Sequence, residues 1–596
     1  MTKLNSNEIY GWMNKILKID VSNGKQEIVE INDDLRRKYL GGRGLGVKLY
    51  TDMCSADIDP FSSENAIIFL TGPLTGLIPT AGRYQVISRS PQTGTICDAS
   101  SGGVFGNVLK KTGIDGIVII GKAEKPIYLL ITDDKIEIKD ASQLWGKNTH
   151  ETRDALTDKY PKASVASIGP AGENQVLYSA IMNDKDRAAA RGGMGAVMGS
   201  KNLKAIVALG TKDIPVADPE GLKLLLTKLS RLIDKNPVTG KSLNLLGTSV
   251  LMNVINAHGM LPTENFQRGV FNDAEGISGE KITEVLLQKR SACFHCPIAC
   301  GRTTKTENKS GEGPEYESVW AFGAQLGIND LTKITEANYL CNELGLDTIT
   351  TGNTIGCAME LYEKGAFPHE LKWGDAKILE KLVEDIAYKR GIGEELALGS
   401  KRLAEKYGRP ELAMQVKGLE LPAYDPRGVQ GQALSYATSN RGGCHMRAYV
   451  IAPEILGSPM NIDRYSSDGK AEIVALLQDI SAVVDSTVLC RFLQFAMSIS
   501  TFAEMIEVVT GIKYTDDELL EVGKRIYTLE RKFNSEAGFT RKDDMLPPRF
   551  MEEELIEGSS RNRVVHLDKM LDEYYAVRGW DENGVPTEET KKKLGI

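Results

Sequence analysis

Short apolar runs recur through the first two hundred residues of the chain and predict a strand-rich region. Three of these runs, at residues 66–70, 116–121 and 127–132, are rich in β-branched residues, and turn residues bound each of them. Glycine clusters separate the runs, at residues 41–46, 72–76, 100–103 and 191–199. The pattern predicts β-strands joined by tight turns.

From about residue 215 the apolar residues recur with helical spacing instead. The clearest segments are residues 219–234, 281–289, 332–344 and 377–389. Proline and glycine interrupt the pattern over residues 416–443, and helical patterns then resume. The sequence therefore predicts an α+β protein, with a β-rich domain at 1–214 and two mainly α-helical domains at 215–417 and 418–596.

Composition narrows the class of protein. A chain of 596 residues, 41% hydrophobic and 26% charged, is an ordinary globular protein with more than one core. The net charge of −8 and the lack of a basic run disfavour nucleic acid as a partner. No apolar run is long enough to cross a bilayer, and residues 1–16 lack the apolar centre of a signal peptide, so we expect a cytoplasmic protein.

Nine cysteines occur, an odd count that favours a reducing compartment over a disulfide framework. Cys293, Cys296 and Cys300 lie in one short segment with C-x2-C-x3-C spacing, which suits an iron–sulfur cluster or a zinc ion but lacks one ligand. The spacing favours a cluster, because no second C-x2-C or H-x3-5-H pair supports zinc; chance placement stays open. Candidates for the fourth ligand are Cys341, Cys357, Cys444 and Cys490.

The glycine clusters do not form a nucleotide-binding motif. Residues 193–199 come nearest to G-x-G-x-x-G, but a strand-like run at 205–209 follows them, and no G-x-x-x-x-G-K-[ST] occurs. A nicotinamide or ATP site is therefore disfavoured. Tight turns explain any single cluster, yet Arg43, Arg83 and Arg191 within or beside the clusters favour a phosphate-bearing cofactor.

Two polar concentrations remain ambiguous when each is taken alone. Glu315 and Glu317 precede an apolar helix, where an acid by default stabilises the helix N-terminus. Cys444 and His445 follow a glycine-rich turn, where the histidine is more often a structural hydrogen-bonding residue than a catalyst.

Several longer segments together resemble the tungsten-containing aldehyde:ferredoxin oxidoreductases over essentially the whole chain. These segments are residues 72–76, 82–84, 168–173, 191–205, 313–320, 421–428 and 440–445. The resemblance implies one tungsten, or less often molybdenum, held by two pterins whose phosphates share a Mg²⁺ ion, with a [4Fe–4S] cluster beside one pterin. It places this cofactor at the domain interface, cradled by the β-rich domain.

The resemblance also implies an activity and a set of site residues. An aldehyde is oxidised to a carboxylic acid, and the electrons pass to ferredoxin or an iron–sulfur subunit. Glu317 is the implied general base for water, and His445 hydrogen-bonds the aldehyde oxygen. The implied cluster ligands are Cys293, Cys296, Cys300 and Cys490. The implied cofactor-binding residues are Arg83, Ser100, Arg191, Gly192, Gly193, Asn342, Gly345, Leu346, Asp347, Arg447, Asp485 and Leu489.

Burial beside Trp320 and Phe322 is expected to raise the pKa of Glu317 toward the working range. Two alternatives remain: the catalytic subunit of a tungsten-dependent benzoyl-CoA reductase, and an electron-transfer scaffold that carries a cluster. The presence of both Glu317 and His445 argues against the scaffold.

Two motifs depart from the family pattern. The pterin-binding motif D-x-x-G-L-(C/D) reads Asn342 in place of its first Asp and, in the second copy, Val488 in place of Gly, where a positive φ is unfavourable. The E-x-x-H motif for a metal at a dimer interface ends in Tyr339, a poor ligand. We expect no interface metal, and both a homodimer and a hetero-oligomer stay possible.

Overall fold

The computed structural model describes residues 9–133 and 135–596. Residues 1–8, part of the segment in which no signal peptide is expected, lie outside the described residues. Within the part described, no helix is long and apolar enough to cross a membrane.

Strands dominate the first third of the described chain. They are β1 (Ile16–Asp20), β2 (Gln26–Val29), β3 (Ile67–Leu70), β4 (Tyr84–Arg89), β5 (Ile96–Ser101), β6 (Gly116–Ile120), β7 (Ile127–Thr132), β8 (Ile136–Asp140), β9 (Ser164–Ser167), β10 (Ile181–Asn183), β11 (Arg187–Ala189) and β12 (Leu203–Leu209). Later strands are β13 (Leu287–Ser291), β14 (Gly301–Lys305), β15 (Ser310–Glu312), β16 (Gln415–Val416) and β17 (Leu419–Glu420).

Two six-stranded mixed sheets pack face to face. Their strand orders are β2-β1-β6-β3-β4-β5 and β11-β10-β9-β12-β7-β8. Phe69 and Ile119 of the first sheet share one buried cluster with Leu129 and Ile206 of the second. The apolar runs seen in the sequence are β3, β6 and β7, and they form the centre of this sandwich because both of their faces are covered.

Helices dominate the rest. The shorter N-terminal helices are α1 (Asp33–Tyr39), α2 (Gly42–Met53), α3 (Phe105–Lys111), α4 (Thr149–Lys159), α5 (Pro170–Glu173) and α6 (Met194–Ser200). The middle of the chain forms α7 (Pro219–Lys235), α8 (Leu243–Leu246), α9 (Leu251–Ala257), α10 (Gly279–Val285), α11 (Tyr316–Phe322), α12 (Leu331–Leu344), α13 (Thr348–Glu363), α14 (Leu379–Tyr388), α15 (Gly393–Leu396) and α16 (Ser400–Lys406). The last part forms α17 (Gln430–Thr438), α18 (Ile451–Glu454), α19 (Lys470–Thr487), α20 (Ile499–Thr510), α21 (Asp516–Glu536), α22 (Pro548–Glu552), α23 (Leu567–Arg578) and α24 (Glu588–Leu594).

The last third of the chain closes over the outer face of the first sheet. Ile68 and Ile87, paired on neighbouring strands, pack in one cluster with Leu45 of α2, Val483 of α19 and Ile526 of α21. The C-terminal helices are thereby fastened to the β-rich region through α2. The α+β fold predicted from the sequence is confirmed, whereas the domain boundaries near 214 and 417 stay predictions.

The helix predicted at residues 281–289 is wrong in its second half. Helix α10 begins after Ser278, whose hydroxyl accepts a hydrogen bond from the Lys281 amide, and it ends at Val285. The residues that follow form β13, which pairs antiparallel with β14 in a register that places Arg290 opposite Arg302. Tertiary pairing overrides the helical pattern here, and the resulting hairpin carries the three-cysteine segment at its tip.

Replacement of Gly44 by alanine tests the close packing of α2. A Cβ at this position would lie 2.5 Å from Cδ1 of Ile526 and even closer to the Tyr39 carbonyl oxygen, so Gly44→Ala should destabilise the protein by about 1–3 kcal/mol. The matched control is Gly276→Ala, because a Cβ there meets no atom within 4 Å. Thermal unfolding should show a lower midpoint for Gly44→Ala alone; equal midpoints would contradict the packing.

Candidate active site

A cavity of about 420 Å³ lies where the β-rich region meets the helices. Its lining comes from all three predicted domains. The lining residues include Thr80, Arg83, Gly102, Asp186, Arg187, Cys293, Cys296, Cys300, Glu317, Asn342, Tyr424, His445, Tyr449, Cys490, Arg491 and Phe495. Residues far apart in sequence thus share one enclosed space of the size that small-molecule sites have.

Glu317 borders the cavity from the first turn of α11. The Ala423 amide donates a hydrogen bond to its Oε2 at 3.0 Å, while its buried Oε1 has no partner. Burial raises the pKa of Glu317 to about 8, so the carboxyl is mostly neutral at pH 7. A neutral carboxyl does not stabilise a helix N-terminus by charge, which removes the default interpretation of this residue.

His445 faces Glu317 across the cavity edge, with its Nε2 3.7 Å from Oε1 of Glu317. Burial, aided by the positive charges of Arg191 and Arg441, lowers the pKa of His445 well below its ordinary value. Its Nδ1 is buried without a partner. The site therefore presents a neutral imidazole beside a neutral carboxyl, and each has an unused hydrogen-bonding atom.

Aromatic side chains that the sequence did not single out surround this pair. The hydroxyl groups of Tyr424 and Tyr449 lie 3.1 Å apart, and the ring of Tyr449 meets that of Phe495 edge to face at 6.2 Å. The ring of His445 lies 5.8 Å from that of Tyr424. Trp320, expected beside the carboxyl, instead donates its indole N–H to the Pro262 carbonyl in the helical core.

Phe322 is likewise a core residue, and neither Trp320 nor Phe322 lines the cavity. The expectation that burial raises the pKa of Glu317 agrees with the structure. The tyrosines come from irregular segments around residues 424 and 449, where no periodic pattern marks a buried aromatic residue.

Four cysteines border the same cavity. Cys293, Cys296 and Cys300 occupy the tip of the β13–β14 hairpin, and Cys490 arrives three residues after α19 ends. The other candidates for a fourth ligand lie elsewhere: Cys341 and Cys357 are buried in the helical core, and Cys444 accepts a hydrogen bond from Arg441 at 2.9 Å. Across residues 9–133 and 135–596, no three His, Cys, Asp or Glu side chains converge as a single metal ion requires.

Arg83 connects the cysteines with the β-rich region. Its Nε donates to Oγ of Ser100 at 2.9 Å, and the side chain borders the cavity. A Cβ at Gly102 would lie 2.7 Å from Sγ of Cys293 and 3.4 Å from Nη1 of Arg83. Only glycine lets the β5 loop approach the cysteine hairpin this closely, and Arg83 is thereby held beside it.

The two copies of the motif expected to bind pterins have the same backbone form, although the second copy has Val488 in place of glycine. Gly345 caps the C-terminus of α12 with φ +77°, and Val488 caps the C-terminus of α19 with φ +57°. Both residues lie in the left-handed region. A β-branched residue there costs roughly 1–2 kcal/mol. The fully buried Val488 side chain offsets part of this cost, so the unfavourable positive φ expected from the sequence is nevertheless adopted.

The polar residue of the first copy has neighbours that the sequence gave no reason to expect. The Asn342 amide donates to Oδ1 of Asp186 at 3.3 Å, and His150 Nε2 lies 3.0 Å from the same oxygen. Burial lowers the pKa of His150, the hydrogen bond to Asp186 raises it, and the net shift is upward. Further along the same copy, Leu346 is buried and Asp347 accepts a hydrogen bond from the Ile349 amide at the start of α13.

The second copy joins a buried set of charges. Arg491 donates from its Nε to Oδ1 of Asp485 at 3.0 Å, and Arg447 Nη1 contacts both carboxylate oxygens of Asp98 at 2.8 and 2.9 Å. Leu489 is buried. On the β-rich side, Arg191 forms an ion pair with Asp347 at 3.1 Å and donates to the Glu420 carbonyl at 2.6 Å.

The glycines after Arg191 supply backbone that no other residue type adopts easily. Gly192 and Gly193 have φ of +87° and +76°, and Gly193 directly precedes α6. A side chain at Gly193 would collide with the Leu177 carbonyl, so this turn is fixed by close approach as well as by its dihedral angle.

Arg43 does not have the phosphate-binding role that its glycine cluster suggested. Its Nε and Nη2 each donate to the Glu530 carboxylate at 2.6 Å, and the side chain is fully buried. Both strong donor directions are therefore used within the protein. Glu530 was not predicted from the sequence. It is a charged residue on the apolar face that Ile526 and Phe533 form on α21, and this position could have indicated a buried ion pair.

Cys444 lies among arginines directly before His445. Burial raises its pKa, but Arg441 and Arg447 outweigh this effect and lower the pKa of Cys444 to about 6. The Nε atoms of both arginines are buried without a hydrogen-bond partner. Next to His445, the protein thus has a thiol with a lowered pKa and two arginine N–H groups that have no acceptor within the protein.

The E-x-x-Y segment of α12 is directed into the protein. The Tyr339 hydroxyl lies 2.6 Å from Oγ1 of Thr304, and Glu336 accepts a hydrogen bond from Thr306 at 2.9 Å. Both residues are buried. The expectation that no metal bridges two subunits here stays a prediction.

Comparison with known proteins identifies relatives along nearly the whole chain. A family model described as the N-terminal domain of aldehyde ferredoxin oxidoreductase matches residues 16–210, and one described as domains 2 and 3 of the same enzyme matches residues 224–596. The tungsten-containing aldehyde ferredoxin oxidoreductase of Pyrococcus furiosus is 47% identical over 601 residues, covering 99% of both chains.

Two further relatives are more distant. The WOR-like subunit of an aliphatic sulfonate oxidoreductase from Pyrococcus furiosus is 32% identical, covering 99% of this chain and 97% of the relative. Among solved structures, the active-site complex BamBC of benzoyl coenzyme A reductase with 1,5-dienoyl-CoA has a TM-score of 0.86 at 26% identity, covering 99% of this chain and 97% of that chain.

Glu317→Gln should remove a pH-dependent loss of stability. Between the ordinary pKa of a glutamate and about 8, the unfolded chain releases the proton that the folded protein keeps, so the wild-type protein loses stability as pH rises through this window. The free energy of unfolding of the glutamine variant, relative to that of the wild-type protein, should increase from pH 5 to pH 8 by about a few kcal/mol. Thermal unfolding at a series of pH values measures it, with the exposed Glu275→Gln as control. A difference that stays constant with pH would contradict the raised pKa.

Proposed function

The chain belongs to the aldehyde ferredoxin oxidoreductase family, and we propose that it oxidises aldehydes to carboxylic acids and passes the electrons to ferredoxin. The observation that carries this proposal is the pair of Glu317 and His445 in one cavity with four cysteines. The 47% identity to a tungsten-containing aldehyde oxidoreductase, against 26% to the benzoyl coenzyme A reductase complex, favours aldehyde oxidation over the benzoyl-CoA alternative.

The tungsten-containing relatives imply a tungsten pterin cofactor, and the residues present suit it. Four buried atoms have no hydrogen-bond partner in the protein: Oε1 of Glu317 and Nδ1 of His445 from the cavity lining, and Nε of Arg441 and Arg447, whose charges act on His445. Unsatisfied guanidinium donors favour an anionic group, and the dithiolene and phosphate groups of a pterin are anionic.

Arg83, Asn342 and Leu346 line the cavity. The residues that would hold the pterins include these three and come from three parts of the chain. They are Arg83 directly before β4, Ser100 in β5, Arg191, Gly192 and Gly193 before α6, Asn342, Gly345, Leu346 and Asp347 around the end of α12, and Arg447, Asp485 and Leu489 from the last third of the chain. When bound, this group accepts the two electrons that leave the aldehyde. A Mg²⁺ ion shared by the pterin phosphates is part of the proposal.

The four cysteines would hold a [4Fe–4S] cluster, with Cys490 as the fourth ligand. Three thiols from one hairpin tip and a fourth from a distant segment, all open to one cavity, match the four-thiolate ligand set of such a cluster. The cluster supplies a one-electron relay. Arg83, which donates a hydrogen bond to Ser100 and acts on Cys490 through its charge, would place a positive charge beside both groups when they are bound.

The reaction adds water to the carbonyl carbon and removes two electrons and two protons in total. Glu317, once deprotonated, accepts a proton from the attacking water through its free Oε1. Its other oxygen stays anchored by the Ala423 amide, so the base keeps its position while the proton moves.

His445 acts on the substrate oxygen as a neutral hydrogen-bond donor. The lowered pKa keeps the imidazole uncharged, and Nε2, which lies toward Glu317, is placed to donate to an aldehyde oxygen between them. A donor fixed in a site that excludes water stabilises the charge that develops on that oxygen. The rings of Tyr424, Tyr449 and Phe495 exclude bulk water and favour an apolar aldehyde.

The acceptor, assembly and location complete the proposal. Ferredoxin or an iron–sulfur subunit takes the electrons one at a time. The chain works in the cytoplasm, as a homodimer or with an electron-carrying subunit.

The rate of aldehyde oxidation should rise with pH if Glu317 is the base. With a pKa of about 8, kcat/KM should increase about tenfold per pH unit below 8 and level off above it. Glu317→Gln should lose activity by about 10²- to 10⁴-fold while tungsten and iron contents stay unchanged. Glu336→Gln, a buried carboxyl outside the cavity, is the matched control. Turnover retained in Glu317→Gln would remove this residue from the base role.

Cys490→Ala tests the fourth cluster ligand. The variant should bind less iron, and the paramagnetic signal of its reduced cluster should change, because one thiolate is missing. Cys341→Ala, which removes a buried thiol from α12, should leave iron content and signal unchanged. Electron paramagnetic resonance and iron analysis on both variants make the comparison. An unaltered signal in Cys490→Ala would reject the assignment.

A further inference from the structure

The tip of the β13–β14 hairpin brings the cysteines to the surface of the protein. Ala292, His295 and Pro297 are exposed, and Cys296 between them is half-buried. The ring of His295 stacks on Phe294 at 4.0 Å, which holds the tip in a fixed shape. The cysteine loop thus lies between the cavity and the solvent.

The two segments that build this surface are free of acidic residues. Residues 236–263 and 285–306 contain no Asp or Glu, although the whole chain has 80 acidic against 72 basic residues. The segments are in contact, since the Asn244 amide donates to the Ile298 carbonyl at 3.0 Å and Arg290 donates to Oδ1 of Asn244. Their exposed charges are Lys241, Lys289, Arg290 and Lys305.

Three of the acidic groups that adjoin these segments have partners within the protein, whereas Glu307 is exposed. Glu312 accepts a hydrogen bond from Ser291 and forms an ion pair with Arg187. Glu315 accepts a hydrogen bond from Thr248 at 2.5 Å. Glu284 on α10 pairs with Lys281 at 2.9 Å. The exposed charges of the two segments are therefore all positive on a protein whose net charge is negative.

We propose that this basic face, made of Lys241, Lys289 and Arg290 around the exposed tip at 292–297, is the docking surface for an acidic one-electron carrier protein of the ferredoxin type. The inference rests on the proposed function for the direction of electron flow. Each aldehyde releases two electrons and the carrier takes one, so two carriers must dock and leave per turnover. A small surface that binds by charge gives fast association and fast release.

Exposed apolar side chains beside the charges complete a surface of the expected kind. Leu245 of α8 and Val285 of α10, on helices that pack against each other, are each 50% exposed. A short-lived redox interface needs a small apolar contact inside a charged rim, because charge guides the encounter while apolar contact brings the two redox centres close.

Charge reversal on the intact enzyme tests the proposal. The double variant Lys241→Glu/Lys289→Glu should raise the KM for an acidic ferredoxin by about tenfold or more at low salt. The effect should shrink as ionic strength approaches 0.5 M, because salt screens exposed charges. Oxidation of the same aldehyde with a viologen dye as acceptor should be unchanged. The matched control is Lys592→Glu/Lys593→Glu on α24, which makes the same charge change far along the chain and should leave the KM for ferredoxin unchanged.

Two outcomes would overturn the docking surface: a KM for ferredoxin unaffected by Lys241→Glu/Lys289→Glu, or an equal rise in the control variant. A wild-type enzyme inactive toward aldehydes with the viologen dye would instead contradict the proposed function. In that case reduction of the oxidised enzyme by reduced ferredoxin, followed by stopped flow, tests docking without any aldehyde. Slower reduction of the double variant alone would support the surface, and equal rates would reject it.

Discussion

A buried set of charges joins the β-rich region to the last third of the chain, and the site depends on it. Nε and Nη2 of Arg43 in α2 donate hydrogen bonds to the carboxylate of Glu530 in α21, and Arg447 donates to the carboxylate of Asp98 in β5. Removal of one partner from such a pair leaves an unpaired buried charge at a cost of about 3–5 kcal/mol. The two regions therefore cannot separate without exposing or stranding these charges, and closure over the cavity is enforced by electrostatics as well as by apolar packing.

The same charges fix the position of Cys490. Asp485, five residues earlier, is held by Arg491 on one side and lies 3.4 Å from Nη1 of Arg43 on the other. The end of α19 is thus anchored to the β-rich region, and the cysteine that follows must enter the cavity. The other three thiols reach it from a hairpin in the middle of the chain. The contacts of Asp485 thus couple the packing of the last third of the chain to the position of Cys490.

Features that depend on a few adjacent residues could be predicted from the sequence. Features that depend on pairing between distant segments could not. The cysteine spacing and the buried strands are properties of a few adjacent residues, so they could be read directly. The second half of the helix predicted at 281–289 became β13 because pairing with β14 outweighed a short helical pattern. Glu530 is separated from Arg43 by 487 residues, and nothing local shows that one compensates the other. Glu317 could be selected by resemblance, but the tyrosines around it could not.

Val488 shows what holds the motif geometry when its glycine is missing. The left-handed turn persists with a β-branched residue, although it costs roughly 1–2 kcal/mol. Gly42, which has no side chain, lies against Val488 and the Asp485 carbonyl, so the valine fills space that a glycine at 488 would leave empty. The contacts of Asp485 with the arginines and the position of Cys490 at the cavity fix the place where α19 ends. The turn at Val488 follows from that position. A residue that disfavours the conformation is tolerated because its surroundings on both sides require it.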